Sequence, residues 1–155
     1  MALSGAALLG NLADVTQRRV LYPRRERIAL LASEARGACL AVVPGFDEAE
    51  LLLTMARPRE MTIVSLTGLA VEHAAADGLP RLTRMIDDCL AAGRPVVLVD
   101  LYDTPADRNP WKFLRRLGYE RAALHAALRP YAVGGVSRRA GPFTLRSIPP
   151  PPPRG

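Results

Sequence analysis

Three carboxylates, Asp47, Asp100 and Asp103, stand just beyond short apolar runs, where a phosphate-handling enzyme would need them. Ala38 to Val43, closed by Pro44-Gly45, precedes Asp47, and Val96-Val97-Leu98-Val99 precedes Asp100 and Asp103. A third run, Met61 to Leu66, ends in Thr67-Gly68. Ligands of open parallel sheets bind beyond the carboxyl ends of the strands. Gly45, Asp47, Thr67, Asp100 and Asp103 are therefore the candidate ligand-binding set. Carboxylates converging there would offer oxygen ligands to Mg²⁺, the chemistry of phosphoryl transfer or nucleotide binding. The same residues also have a purely local role, with Asp47 capping a helix and Asp103-Thr104-Pro105 making a turn.

Other constellations offer less. A dinucleotide site wants G-x-G-x-x-G after the first strand, whereas here Gly45 alone precedes Phe46-Asp47; a P-loop is also lacking. A general base needs a positioned partner, and neither His73 nor His125 has one legible in the sequence, so both read as helix-face or surface histidines. Trp111 reads as a packing anchor whose neighbourhood, Asn109-Pro110-Trp111-Lys112, could line the crevice mouth.

The elements that must position these residues follow from the apolar pattern. Val96 to Val99 has no polar alternation, the habit of a central parallel strand covered by helices on both faces. Ile28, Leu31 and Ala35 share a face of a helix opened by Pro23 and ended by Gly37. Leu51, Leu52 and Met55 supply the buried side of a helix between the first two strands. A short helical segment over Leu69 to Ala76 is broken by Asp77-Gly78. Leu82, Met85, Ile86, Cys89 and Leu90 fit an amphipathic helix from Pro80 to Ala92. Asn109-Pro110 opens a helix carrying Trp111, Leu114 and Leu117, and Glu120 to Leu128 forms another. Phe143 to Ile148 alternates apolar and polar residues, predicting an edge strand with one exposed face. The order predicts an α/β fold, a small Rossmann-like three-layer sandwich of three parallel strands plus one antiparallel edge strand. Residues 1–22 form an apolar and basic arm, 23–148 the domain, and 149–155 a polyproline tail.

Composition narrows the partners. The chain has 155 residues, enough for one domain with a core, and a formal net charge of +6. Lys112 is the only lysine, so the basic excess is arginine, which coding bias explains as readily as a binding surface. Aromatics make up only 5% and are not interleaved with basic residues, which argues against nucleic acid as a partner. Cys39 and Cys89, each inside an apolar run, read as buried free thiols, too few for a disulfide scaffold or a four-ligand zinc site. Ala2 to Val15 is apolar but too short to span a bilayer, and it lacks the basic leader of a signal peptide. Arg18, Arg19, Arg24, Arg25 and Arg27 follow it, opposed by Glu26. An apolar segment running into arginines suits association with a membrane, whose side the sequence leaves open. The positive-inside tendency favours the cytoplasmic side for that patch, and a cytoplasmic protein is the alternative. The same stretch also reads as an amphipathic arm with solvated arginines.

Two resemblances bear on function. Pro44-Gly45-Phe46-Asp47 and Asp100-Leu101-Tyr102-Asp103 sit where Toprim domains carry an acid and a later Asp-x-Asp pair. Here the first glutamate is missing and the pair is separated by two residues rather than one. Over a longer span, Arg24 to Ile148 resembles the soluble domain that follows the last membrane span in some bacterial multi-pass glycosyltransferases, themselves similar to dolichyl-phosphate-mannose protein mannosyltransferases. The matching residues are Gly37 through Gly45, Ile63-Val64-Ser65-Leu66, Gly93 through Asp100, Asn109-Pro110-Trp111 and Leu117-Gly118-Tyr119. That resemblance implies an appended domain; the family's catalytic acids lie in loops between membrane spans, so no catalytic residue is carried over. Two expectations result. One is a non-catalytic accessory or interaction domain of a membrane glycosyltransferase-like protein, without cofactor, meeting a membrane surface or membrane protein through its basic arm. The alternative is a Mg²⁺-dependent, Toprim-like phosphoryl-transfer or nucleotide-binding enzyme.

Overall fold

The computed structural model describes residues 25–26, 28–45, 53–54, 61–101, 111–141 and 143–152. Residues 28–34 are helical (α1), followed by strands β1 (Leu40–Val43) and β2 (Thr62–Ser65). Helices α2 (Leu66–Glu72) and α3 (Ala75–Ala91) lead to β3 (Val96–Val99). Helices α4 (Trp111–Arg116) and α5 (Arg121–Ala132) then precede β4 (Val136–Ala140) and β5 (Phe143–Ile148). The strands form one sheet in the order β2-β1-β3-β5-β4. β2, β1 and β3 run parallel, and β5 and β4 continue the sheet antiparallel.

Val96–Val99 is buried along its whole length, with β1 on one side and β5 on the other. Because successive strand residues face opposite sides, its side chains divide between two cores. Val96 and Leu98 join Leu40 and Val42 against Leu66, Leu82, Ile86, Leu114, Leu124 and Leu128 from α2 through α5. Val97 and Val99 join Ala41 and Val43 against Leu31, Ala35 and Leu53. The chain is thus a mixed α/β protein with apolar side chains packed on both faces of a five-stranded sheet. Among the described residues, no helix is long and apolar enough to cross a membrane.

Four expectations change. Phe143–Ile148 is not the edge: β5 lies inside the sheet and β4 outside it, a strand that Val-Ser-Arg-Arg-Ala conceals because four of its residues are exposed. Asp77-Gly78 does not break a helix. α2 starts directly at the end of β2, its amino end capped by Ser65 Oγ accepting from the Gly68 N–H at 3.3 Å, and α3 begins at Ala75 with Asp77, Gly78 and Pro80 inside it. Asp77 suits a first turn, where its charge complements the helix dipole. Gly78 is dictated by tertiary contact, since a Cβ there would collide with the Tyr119 hydroxyl and lie 3.0 Å from its Cζ. That hydroxyl donates to the carbonyl of His73 at 2.9 Å, tying the start of α5 to the α2–α3 junction, and burial, then the Asp77 charge, raises its pKa. The last helix runs on through Pro130 to Ala132 rather than ending at Leu128.

The fourth change concerns the cysteines. Cys39 and Cys89 are not free thiols but form a disulfide, with Cα atoms 5.7 Å apart. It fastens α3 to the residue preceding β1, beside the Cys39 N–H that donates to Pro95 at 2.8 Å. The N-terminal arm, the helix expected around Leu51 to Met55 apart from Leu53 and Thr54, and residues 153–155 of the tail lie outside the described residues.

Two stability measurements test this packing. Closing a separation of 50 residues removes about 4 kcal/mol of unfolded-chain entropy, so Cys39→Ala/Cys89→Ala is expected to lose about that much in guanidinium melts, and reductant should bring the parent down to the same midpoint. Gly78→Ala is expected to destabilise, although alanine gains about 1 kcal/mol of helix propensity over glycine. In a double-mutant cycle Tyr119→Phe should reduce that loss, with a coupling energy of about 1 kcal/mol or more.

Candidate functional site

The parallel strands end side by side. β1 passes into Pro44 and Gly45, both buried, and β2 turns straight into α2. Thr67, only 3% exposed, donates its hydroxyl to the Pro44 carbonyl at 3.2 Å and lies 3.2 Å from Ser65 Oγ. Thr67 thus reaches across from the start of α2 to the end of β1, at the residue before Gly45. The hydroxyl serves to hold those ends together, since a buried hydroxyl without a partner would cost about 1–3 kcal/mol.

Asp100, at the end of β3, has a different position. Its φ is +52°, in the left-handed region that aspartate tolerates better than most residues. Its N–H donates to the Thr144 carbonyl at 2.8 Å, and its Oδ1 accepts from the Thr144 N–H at 2.7 Å. One residue thus closes both backbone groups of Thr144, and it does so where the parallel half of the sheet meets the antiparallel half. The carboxylate contact is as short as charge-assisted bonds become. Asp47 and Asp103 lie outside the described residues. Among the described residues, no group of three or more His, Cys, Asp or Glu side chains is placed to hold a metal ion.

Beside Asp100, three side chains cluster that the sequence left separate. His125 Nε2 lies 3.1 Å from the Leu101 carbonyl, so this histidine has a partner after all. Its ring meets Trp111 edge-on, with centroids 6.3 Å apart and planes at 87°. The Arg121 guanidinium carbon sits 5.4 Å from the Trp111 ring centroid, a cation–π distance. Trp111 is 3% exposed, in keeping with a packing anchor, and its buried Nε1 has no hydrogen-bond acceptor among the described residues. These contacts join α4 and α5 to the end of β3. Helical spacing could have placed Arg121 and His125, four apart, on one face of α5. Nothing in the sequence placed that face on Trp111. His73 lies elsewhere, its Nε2 3.9 Å from Glu72 Oε2.

The arrangement is thus a set of ties. It can align strand ends and fix helix entry, and the described side chains include no nucleophile held by a base. Asp100→Ala removes the acceptor and leaves alanine in a left-handed conformation, so it is expected to cost about 2 kcal/mol in denaturant melts. Asp100→Asn keeps an acceptor oxygen and should cost clearly less.

Comparison with protein-family models, with curated proteins and with solved structures finds no match to this chain.

Proposed function

We propose that this chain is a non-catalytic accessory or interaction domain of a membrane glycosyltransferase-like protein, built on a Rossmann-like layout. One observation carries the reading: the polar side chains described at the carboxyl ends of the strands are engaged with the fold itself. Thr67 holds the end of β1, and the Asp100 carboxylate holds β5. An enzyme of the Mg²⁺-dependent kind would instead turn such groups toward a ligand. The strand order β2-β1-β3, with β1 between the strands that precede and follow the crossover, supports the layout.

The domain works at an anionic membrane surface, reached through Arg18 to Arg27. The Cys39–Cys89 disulfide favours the oxidising, extracytoplasmic side, because thiols of the cytosol are kept reduced. It outweighs the arginine patch, whose positive-inside tendency is a statistical bias of loops flanking spans.

Vesicle flotation of the full chain tests the membrane part. The chain should float with phosphatidylglycerol vesicles at low salt and be released by about 1 M salt, where the Debye length has fallen to about 3 Å. Failure to float at low salt refutes it. Mg²⁺ with ATP should leave the melting temperature unchanged, and a rise of several degrees would overturn the non-catalytic reading.

A further inference from the structure

β4 is the outer strand of the sheet, and Val136, Ser137, Arg138 and Arg139 in it are exposed. Val136 leaves 57% of its surface in water, and the Arg138 side chain 69%. Outer strands present unpaired backbone groups, and the pairing of β4 with β5 shows which ones. Ala140 pairs with Phe143 across a tight turn in which Gly141 has φ +60°. In a hairpin so short the closing pair exchanges its hydrogen bonds, and bonded and non-bonded pairs alternate from there. Ala140, Arg138 and Val136 therefore direct their backbone groups to β5. Ser137 and Arg139 direct theirs outward.

The side chains alternate too. Val136 and Arg138 lie on the face that carries Val97 and Leu145, where they line a groove of about 200 Å³ closed by Glu34 and Pro149. Arg138 Nη1 stands 3.7 Å from Glu34 Oε2 at its rim. Arg139 lies on the opposite face of the strand. This groove is not at the carboxyl ends of the parallel strands: Val136 pairs with Ser147, and Ile148 with Val96, so it lies toward the amino end of β3.

We propose that β4 is an edge-addition site for an extended acidic peptide segment of a partner protein, running antiparallel to it. Main-chain bonds to Ser137 and Arg139 would supply affinity, and alternate side chains would supply selectivity, as in other strand-addition complexes. Arg138 and Arg139 project from opposite faces, so the partner needs two consecutive acids, one for each. After them come a small polar residue opposite Ser137 and an apolar one opposite Val136, at the rim of the groove. A second copy of this chain is the poorer occupant, because full overlap of two β4 strands, centred on Arg138, sets that arginine against its own copy, and like charges directly opposite destabilise a pair. This inference stands on the β4 edge and goes beyond the membrane reading, so either can fail without the other.

The test uses the full chain and a labelled peptide, Thr-Glu-Glu-Thr-Val-Thr, followed by fluorescence anisotropy beside its counterpart with both glutamates replaced by lysine. The acidic peptide should bind in a salt-sensitive way and the lysine peptide should not. Arg138→Glu/Arg139→Glu should weaken the acidic peptide at least tenfold and admit the lysine peptide. Ser137→Pro removes an outward N–H that β5 does not use, so it should abolish binding while leaving the melting temperature near that of the parent. Amide exchange on the parent chain, which needs no variant to fold, should slow at Ser137 and Arg139 when peptide is added. Equal binding of both peptides, indifference to Ser137→Pro, or protection confined to other strands would overturn the proposal. So would sedimentation as a dimer that Arg138→Glu/Arg139→Glu alters, which would make a second copy the occupant.

Discussion

The backbone of Val96–Val99 must be hydrogen-bonded on both edges and covered on both faces, and the rest of the fold answers that demand. Four apolar side chains buried in sequence contribute about 1.5–3 kcal/mol each, but an unpaired buried N–H or C=O would offset much of one such gain. β1 satisfies one edge and β5 the other. Two helical groups then follow from the alternation of side chains. Val96 and Leu98 need α2 to α5, and Val97 and Val99 need α1 and Leu53.

The two ends of the parallel strands are secured by different means. At the amino end a covalent bond joins Cys39 to Cys89, and Arg94 Nη2 donates to the Ala38 carbonyl at 3.4 Å. At the carboxyl end the ties are hydrogen bonds from side chain to backbone, through Thr67 and Asp100. Asp100 has the more demanding place, because its backbone sits in the left-handed region while its N–H and its carboxylate both bond Thr144. A residue type that suggests metal chemistry here also bonds the backbone of a neighbouring strand.

Among the described residues, four helices pack one face of the sheet, and a groove with Glu34 of α1 in its lining lies on the other face over β5 and β4. Arginine and valine mark that open side, and the polar ties of the strand ends lie away from it.

Much of this was legible in the chain. Continuous apolar runs identified β1, β2 and β3, and helical spacing identified most of α3, because burial on one or two faces writes itself into the order of residues. Alternation identified β5 but could not say which strand lay beside it. β4 was hidden, since an exposed outer strand need not carry an apolar face at all. The candidate site was legible in one position: Thr67 reaches the Pro44 carbonyl at the end of β1. Its roles were not, because whether a carboxylate holds a ligand or a neighbouring amide depends on where Thr144, 44 residues later, comes to lie. By itself the sequence determined which segments must be buried. Only the tertiary structure decided what each polar group touches, that Cys39 and Cys89 come within bonding distance and that Gly78 must leave room for Tyr119, since those are contacts between residues far apart in the chain, and no local pattern encodes them.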